Sequence, residues 1–433
     1  MVCSECNQGY RHLTWCRPCN SKHFKNDFDK WTSRNDTIDK FIQDSQLNAN
    51  YRFGVIEWIP YDRLEYIKQI AKGGFGTIHL AKWIDGPIEK WDIENQQWKR
   101  GGQYEVALKK FDNFASLNDN FLNEITIHLK AASNNFASIK CFGITQDPET
   151  QKYMMVLRYA KDGNLRDYLK NHFNNIKWER KLHYLRNLAV NFKKIHKLDI
   201  VHQDFHPGNI LLDDFLDFPY LHITDFGLSK LIGPNLINPE KKNIFGVLPY
   251  VAPEVLSGEE HTKAADVYSF GIVTYEIITG IPPYHDIPHN KDLEVKICNG
   301  LRPKIPFHTP KLITRMIMRC WDSRVTHRPT FEELNDRFSE YYWDKNNRDS
   351  EIAIQIKEFS PSTKTITTTT SLDYKTHPQA IYTSRLLNLS SLPKPKNDEN
   401  FEKELEELTK SISDLSTTDS GMIDLNISNF KIY

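Results

Sequence analysis

Two short polar segments, separated by an apolar run, constrain this chain more than any other feature. Asp204 and Asn209 lie on one predicted loop, and a second segment reads Asp225-Phe226-Gly227. A carboxylate can accept the proton of a hydroxyl group, and side-chain oxygens of Asn and Asp suit Mg²⁺. Each residue alone also occurs in ordinary turns and helix caps. In this order and spacing, the two segments predict one cleft that holds a divalent cation next to a hydroxyl group whose proton is accepted.

A strand and the helix after it offer a candidate ion pair upstream. Lys109 ends a strand-like apolar run, and Glu124 lies in the helical stretch of residues 119–130. A lysine on a buried strand is costly unless its charge is paired. A Lys109–Glu124 pair would satisfy both charges and direct the ammonium group at a phosphate. The alternative is that both residues lie at the surface.

A glycine-rich segment lies between two strand-like runs before Lys109. Gly73, Gly74 and Gly76 interrupt an otherwise apolar and polar alternation. Glycines allow backbone N–H groups to approach phosphate oxygens without a Cβ atom in the way. Similar segments also close ordinary hairpins, so this motif alone does not decide between the two.

These motifs, in this order, resemble those of the eukaryotic protein kinases and look closest to the Ser/Thr and tyrosine-kinase-like groups. The resemblance covers about residues 62–343 and includes Ala252-Pro253-Glu254, Asp266 and Arg328. Strand-like runs dominate the first part of that range and helical runs the second, which is an α+β arrangement. The resemblance therefore implies a two-lobed kinase fold with a small β-rich N-lobe and a larger helical C-lobe.

The resemblance also implies a reaction and a role for each residue. The reaction is transfer of the γ-phosphate of ATP to hydroxyl side chains of a protein substrate in signal transduction, with Ser or Thr preferred to Tyr. Asp204 would orient the acceptor hydroxyl and take its proton. Lys109, held by Glu124, would orient the phosphates. Asn209 and Asp225 would hold Mg²⁺. The residues expected against ATP are Ile70, Ala71, Gly73, Gly74, Phe75, Gly76, Ile78, Ala107, Lys109, Leu157, Arg158 and Ala160.

Two other functions stay open at this point. The first is a pseudokinase, a nucleotide-binding scaffold that acts through protein contacts. The second is a kinase of small molecules. The presence of all five catalytic positions favours an active enzyme, and the Ala252-Pro253-Glu254, Asp266 and Arg328 set favours a protein substrate.

Several positions depart from the family pattern. Ala71 replaces the first loop glycine, with a modest effect expected on ATP affinity. Gln203 replaces the arginine that, in the family, pairs with a phosphorylated activation loop, so activation by loop phosphorylation is not expected. Ser229 is the one hydroxyl residue between residues 228 and 245. His206 stands where Ser/Thr kinases usually have lysine, and Val247 where they usually have threonine, which leaves the substrate class open.

Four cysteines crowd the start of the chain. Cys3 and Cys6 form one pair, and Cys16 and Cys19 form another with the same spacing. Two such pairs can complete a tetrahedral Zn²⁺ site, and Trp15 could cover it. The alternatives are unrelated reduced cysteines or a partial motif in a disordered arm. Within a zinc site, His12 and His23 could substitute as ligands.

Amino-acid composition along the chain predicts four units. Residues 1–24 form a zinc module with four cysteine ligands, 25–61 a helical connector, 62–343 the kinase domain and 344–433 a flexible Ser/Thr-rich tail. Within the tail, an amphipathic helix is expected near 401–415, either solvated or docked on a partner or on the kinase itself. An added hairpin is expected over residues 85–102, with no chemistry assigned. The helix stripe consists of Phe401, Leu405, Leu408, Ile412 and Leu415.

Charge and hydropathy limit the partners. Basic and acidic residues number 56 each, so net charge gives no argument for nucleic acid or a membrane surface. The first residues lack the apolar segment of a secretory signal, and an odd count of seven cysteines argues against a disulfide framework. We therefore expect a cytoplasmic protein whose partners are ATP, a protein substrate and contacts of the cysteine module and tail helix.

Overall fold

The computed structural model describes residues 2–9, 15–73, 76–111, 119–133, 137–213, 220–231, 244–359, 374–387 and 392–417. A six-stranded sheet forms the smaller lobe in the order β1-β7-β8-β6-β3-β2, and a separate hairpin joins β4 to β5. Neighbouring strands of the large sheet are antiparallel except β1 and β7, which are parallel. The strands are β1 (Glu57–Trp58), β2 (Leu64–Gly73), β3 (Gly76–Trp83), β4 (Ile88–Asp92), β5 (Gln97–Arg100), β6 (Tyr104–Lys110), β7 (Cys141–Gln146) and β8 (Tyr153–Arg158).

The two faces of β6 have different roles because successive side chains of a strand point to opposite sides. Val106 and Leu108 are fully buried in a cluster on the outer face of the sheet. Ala107 belongs to a second cluster on the inner face. Lys109 shares that inner face, which looks toward the helix that carries Glu124 and toward the larger lobe.

Helices build most of the larger lobe, so the predicted α+β fold with two lobes is confirmed. Its central helix, α7, is buried at every position from Ala265 to Thr279 and ends at Gly280, whose φ of 69° favours glycine. The helices are α1 (Arg17–Asn26), α2 (Asp36–Asn48), α3 (Asp119–Ser133), α4 (Leu165–His172), α5 (Trp178–Lys197), α6 (Pro253–Leu256), α7 (Lys263–Thr279), α8 (Lys291–Cys298), α9 (Lys311–Cys320), α10 (Phe331–Asp344), α11 (Glu351–Phe359) and α12 (Phe401–Thr417).

Short two-stranded ladders in the larger lobe position the polar loops. β10 pairs with β11, β9 with β12, and β13 with β14. Ile210 lies opposite Ile223, so the residue before β10 and the residue after β11 are neighbours: the Thr224 N–H donates to the Asn209 carbonyl at 3.0 Å. The strands are β9 (Ile200–Val201), β10 (Ile210–Asp213), β11 (Tyr220–Ile223), β12 (Lys230–Leu231), β13 (Ile244–Gly246) and β14 (Arg385–Leu387).

The hairpin of β4 and β5 packs on the cysteine-rich segment. Trp98 stacks on Phe24 at 4.2 Å between ring centroids, and Trp91 stacks on His23 at 3.9 Å. Further along the chain, α2 buries Ile38 and Ile42 completely in the core of the smaller lobe. The segment predicted as a connector therefore contributes to that core.

The described parts of the tail lie against the larger lobe. Leu387 and Phe401 are buried in its main apolar cluster, and Glu402 pairs with Arg324 at 2.7 Å. This differs from the flexible tail expected from residue 344, because a few spaced apolar side chains are enough to anchor an otherwise polar segment. The amphipathic helix is present as α12. Among the described helices, none combines the length and the apolar character needed to cross a membrane.

Candidate active site

The end of β6, the middle of α3 and the loop after β11 bring three charged side chains together. Lys109 Nζ lies 2.6 Å from Glu124 Oε1 and 2.9 Å from Asp225 Oδ1. Lys109 and Glu124 are almost completely buried, whereas the side chain of Asp225 is 28% exposed toward the cleft. The structure thus places the predicted ion pair inside the protein and adds Asp225 to it.

The electrostatics of this cluster favour the charged forms. Burial by itself lowers the pKa of Lys109, but the carboxylates of Asp225 and Glu124 outweigh it and hold the pKa well above its usual value. Burial by itself raises the pKa of Asp225, but the Lys109 charge outweighs it and holds that pKa below its usual value. A fixed ammonium group and a fixed carboxylate therefore face the cleft side by side.

Asp266 holds the loop that carries Asp204 through hydrogen bonds to its backbone. The carboxylate of Asp266 accepts hydrogen bonds from the backbone N–H groups of His202 at 2.9 Å and Gln203 at 3.1 Å. Gln203 has a φ of 70°, which is uncommon for a residue with a side chain. Further along, the Asn209 side-chain amide donates to the Asp204 carbonyl at 2.9 Å, so the amide oxygen is the atom that can face a cation.

The carboxyl group of Asp204 is directed into the cleft. The residue is only 5% exposed, and its Oδ1 atom has no hydrogen-bond partner among the described residues. Its Oδ2 atom lies 3.7 Å from His206 Nε2. His206 Nδ1 accepts a hydrogen bond from the Gly208 N–H at 3.1 Å, so Nε2 is the ring nitrogen that carries the proton. A buried acceptor without a partner is poised to receive the proton of an incoming hydroxyl group.

A cavity of about 690 Å³ between the lobes collects these residues, a size usual for small-molecule sites. One part is apolar and includes Ile78 and Leu157, and the other contains Lys109, Asp204 and Asp225. Glu124 does not line the cavity itself but contacts Lys109, which does. Gly74 and Phe75 lie outside the described residues. The remaining predicted ATP contacts all line the cavity: Ile70, Ala71, Gly73, Gly76, Ile78, Ala107, Lys109, Leu157, Arg158 and Ala160.

Gly76 shows why the segment before β3 needs glycine. Its φ is 154°, and a Cβ atom built there would lie 2.1 Å from the Lys110 carbonyl oxygen. Side chains are therefore excluded where this segment crosses β6. Ala71, by contrast, follows a register irregularity in β2 but is exposed and has no positive φ, so a methyl group is tolerated there.

Sequence reasoning missed part of the lining. Ile139 and Leu211 add to the apolar part of the cavity, and Tyr382, Thr383 and Ser384 of the tail close its open side. Leu211 sits two positions after Asn209, so the loop motif contained a signal for it. The sequence of residues 382–384 contained no such signal, because nothing in it indicates contact with this cavity.

Two anchors hold the larger lobe beneath the site. Arg328 binds Glu254 through two hydrogen bonds of 2.6 and 2.7 Å, and both side chains are buried. Burial by itself raises the pKa of Asp266, but the hydrogen bond from His196 and the imidazole of His261 at 3.3 Å outweigh it and hold the pKa far below its usual value. These buried charges fix the segment that ends the activation loop and the loop that carries Asp204.

A second polar cluster lies far from the cleft, at the start of the chain. Cys3, Cys6, Cys16 and Cys19 place their sulfur atoms within 4.8 Å of one another. Cys3 and Cys19 are 3.7 Å apart and Cys6 and Cys16 are 3.6 Å apart, sulfur to sulfur. Trp15, which precedes Cys16 in the chain, is 3% exposed and stacks on Trp98. Of the substitute ligands, His23 pairs with Glu5 at 2.8 Å, and His12 lies outside the described residues.

Comparison with known proteins decides the family. A family model described as protein tyrosine and serine/threonine kinase matches residues 64–338. The chain belongs to the eukaryotic protein kinase superfamily. It is an ATP-dependent protein kinase, and the family implies ATP, Mg²⁺ and a protein substrate. The apolar pocket and the oxygen donors of Asn209 and Asp225 fit such a nucleotide and cation.

The relatives of this kinase differ in specificity. It is 28% identical to the tyrosine-protein kinase SPK-1 of Girardia tigrina, over 64% of this chain and 53% of that protein. It is 31% identical to the probable serine/threonine-protein kinase roco5 of Dictyostelium discoideum, over 64% of this chain and 10% of that protein. The dual specificity protein kinase splA of the same organism is 28% identical, over 64% and 11%. The chain therefore spans about half or less of the length of these relatives.

Proposed function

We propose that this kinase transfers the γ-phosphate of ATP to Ser and Thr hydroxyl groups of protein substrates in cytoplasmic signal transduction. The observation that carries the proposal is the convergence of Lys109, Asp204, Asn209 and Asp225 on one cleft, with Glu124 holding Lys109 from behind. Mg²⁺, when bound by Asn209 and Asp225, neutralises phosphate charge. Lys109 orients the phosphates, and Asp204 orients the acceptor and receives its proton.

The preference for Ser and Thr over Tyr rests on the sequence around Val247, which looks like that of the Ser/Thr and tyrosine-kinase-like groups. Relatives named for Ser/Thr, Tyr and dual specificity all match this chain, so the preference is proposed from that sequence alone. Phosphoamino-acid analysis of labelled mixed protein substrates measures it directly. Phosphotyrosine as the main product would contradict it.

The substitution Asp204→Asn tests the catalytic assignment. It removes the proton acceptor and keeps the size of the side chain, so we expect phosphate transfer to fall by about 10²–10⁴-fold while ATP still binds. Transfer is measured with Mg-ATP, and nucleotide binding is measured on the same preparation. Asp292→Asn is a matched control, because Asp292 lies in the first turn of α8, outside the cavity that contains Asp204. Undiminished transfer by Asp204→Asn would remove the assignment.

We further propose that the four N-terminal cysteines hold one structural Zn²⁺ ion. With Zn–S bonds of about 2.3 Å, a tetrahedral site separates its sulfur atoms by about 3.8 Å. The separations of 3.7 and 3.6 Å in the two close pairs support this geometry. All described cysteines are free, which leaves the thiols available as ligands. The aromatic contacts of this module with the β4–β5 hairpin suggest that the ion stabilises one side of the smaller lobe.

A further inference from the structure

A short part of the tail crosses the open side of the active-site cleft. β14 pairs with β13 in antiparallel register, with Ile244 opposite Leu387, Phe245 opposite Leu386 and Gly246 opposite Arg385. β13 lies just before the segment that ends at Glu254. Extended peptides commonly bind proteins by adding a strand to an exposed edge in this way. The tail is therefore seated as a bound peptide would be.

Contacts on both sides of β14 fix its position. At its end, Leu387 is 5% exposed within the apolar cluster of the larger lobe. Before it, the Tyr382 hydroxyl donates to the Pro283 carbonyl at 2.8 Å. Arg166 donates to the Tyr382 carbonyl at 3.0 Å, and its guanidinium lies 4.8 Å from the centre of the Tyr382 ring. The contacts of Leu387 and Tyr382 therefore fix the position of the residues between them relative to the cleft.

Between these contacts, Ser384 is the hydroxyl residue next to the β14 position that pairs with Gly246 beside Asp204. A Cβ atom built on Gly246 would lie 3.7 Å from Asp204 Oδ1, and Gly246 is opposite Arg385, the neighbour of Ser384. Opposite residues of antiparallel strands have Cα atoms about 4.5–5.5 Å apart. Ser384 and Asp204 line the same cavity. Both Ser384 Oγ and Asp204 Oδ1 are buried, and neither has a hydrogen-bond partner among the described residues.

Buried polar atoms without partners are costly, and two of them beside one cavity indicate that each is available to a partner in that cavity. A hydroxyl donor and a carboxylate acceptor are the pair that phosphate transfer needs. Other tail hydroxyls are less suited. Tyr382 already donates to Pro283, and Thr383, although it also lines the cavity, is exposed, so its hydroxyl is not a buried atom in need of a partner.

We propose that residues 382–387 are an intramolecular substrate of this kinase and that the Ser384 hydroxyl is the acceptor. The inference rests on the proposed phosphotransferase function. Ser384 Oγ forms a bond to the γ-phosphorus of ATP as the bond from that phosphorus to the β–γ bridging oxygen breaks. The hydroxyl proton passes to the Asp204 carboxylate, and ADP carries away the bonding electron pair. The products are phosphoserine and ADP.

The same placement has a consequence for other substrates. While β14 pairs with β13, an external peptide cannot use that strand edge. Phosphate on Ser384 brings negative charge beside the Asp204 carboxylate, and like charges at close range repel. Phosphorylation therefore weakens the seating of the tail and opens the groove.

The first experiment follows the acceptor. Full-length protein, dephosphorylated beforehand, is incubated with Mg-ATP at several protein concentrations, and the labelled residues are mapped by mass spectrometry. We expect phosphate on Ser384 at a rate that does not depend on protein concentration. Ser384→Ala should lose this label, and Ser350→Ala, which changes a loop serine away from the cleft, should keep it.

The outcomes separate the inference from the function on which it rests. Transfer to added protein substrates without label on Ser384 overturns the inference alone. Label on Tyr382 or Thr383 in its place, or a rate that rises in proportion to protein concentration, also overturns it. Absence of transfer to any substrate overturns the proposed function and this inference together.

The second experiment tests the seating of the tail without nucleotide. Amide hydrogen exchange of the full chain should show protected backbone N–H groups within residues 244–246. Leu387→Lys, which places a charge in the core, should remove that protection and raise the initial rate on added substrates. Leu386→Lys is the matched control for exchange, because Leu386 is 53% exposed. Rapid exchange of residues 244–246 in the unchanged protein would overturn the pairing, whether or not Leu387→Lys folds.

Discussion

Replacing Lys109 by methionine tests both the stability and the chemistry of the cleft. Methionine is similar in length, so the main change is the loss of the charge that contacts Glu124 and Asp225. Glu124 is 1% exposed, and its second oxygen, Oε2, has no hydrogen-bond partner among the described residues. Breaking a buried ion pair by removing one partner costs about 3–5 kcal/mol. We expect the free energy of unfolding to fall by that amount.

The rate of phosphate transfer should fall as well. Removing one preorganised group that stabilises developing charge typically lowers kcat by about 10²–10³-fold, or roughly 2.7–4 kcal/mol in the barrier. The assay measures initial rates with Mg-ATP on mixed protein substrates, alongside urea unfolding of the same preparation. A double variant, Lys109→Met with Glu124→Met, replaces both buried charges by apolar groups. It should recover much of the lost stability but none of the activity.

Lys110→Met is the matched control, since it makes the same substitution one position along β6. Lys110 points to the outer face and pairs with Asp147 at 2.7 Å, away from the cleft. It should cost some stability and leave transfer close to that of the unchanged protein. If Lys109→Met retained the rate and the unfolding midpoint of Lys110→Met, the role given to Lys109 would be wrong.

Three further predictions concern other parts of the chain. Metal analysis of the full-length protein should find about one zinc per chain, lost together with stability in Cys16→Ser/Cys19→Ser; a folded protein without metal would contradict this. The depressed pKa of Asp266 should contribute stability that is fully present above about pH 4 and lost as pH falls further, so the urea midpoints of the unchanged protein and Asp266→Asn should converge at acid pH. Ser229→Ala, like phosphatase treatment, should change the rate on added substrates by less than about tenfold, or 1.4 kcal/mol in the barrier; a larger loss in either sample would identify the activation loop as a switch.

The parts of the site that could be predicted from sequence are those set by local spacing. β6 places Lys109 at its inner face, α3 places Glu124 opposite, and the pairing of β10 with β11 brings Asn209 next to the loop of Asp225. Each relation depends on a short stretch with its own period or turn residues. The two-lobed fold followed from the same local signals.

Relations between distant segments could not be predicted in this way. The stacking of Trp98 on Phe24 joins two segments whose sequences contain aromatic residues but nothing that pairs them. The pairing of β14 with β13 depends on backbone hydrogen bonds, which any short extended segment can make. Its apolar anchor at the strand end, Leu387, is a single residue in a polar region. Composition therefore indicated a flexible tail, although the anchors fix part of it.

Contacts near both ends of the activation segment can hold that segment in place without a phosphate on the loop. Gln203 carries no charge for a phosphate to pair with, and its backbone is held by Asp266. Ser229 is 3% exposed, and its hydroxyl donates to the His202 carbonyl at 2.9 Å, so another kinase could reach it only after local unfolding. The backbone that follows the loop is instead paired with the tail at Gly246. Because that pairing is made of main-chain hydrogen bonds, a phosphatase acting on the loop cannot remove it, whereas the phosphate proposed for Ser384 would weaken it. We therefore expect control of activity in this chain to belong to the segment that occupies the groove, with no phosphate required on the activation loop.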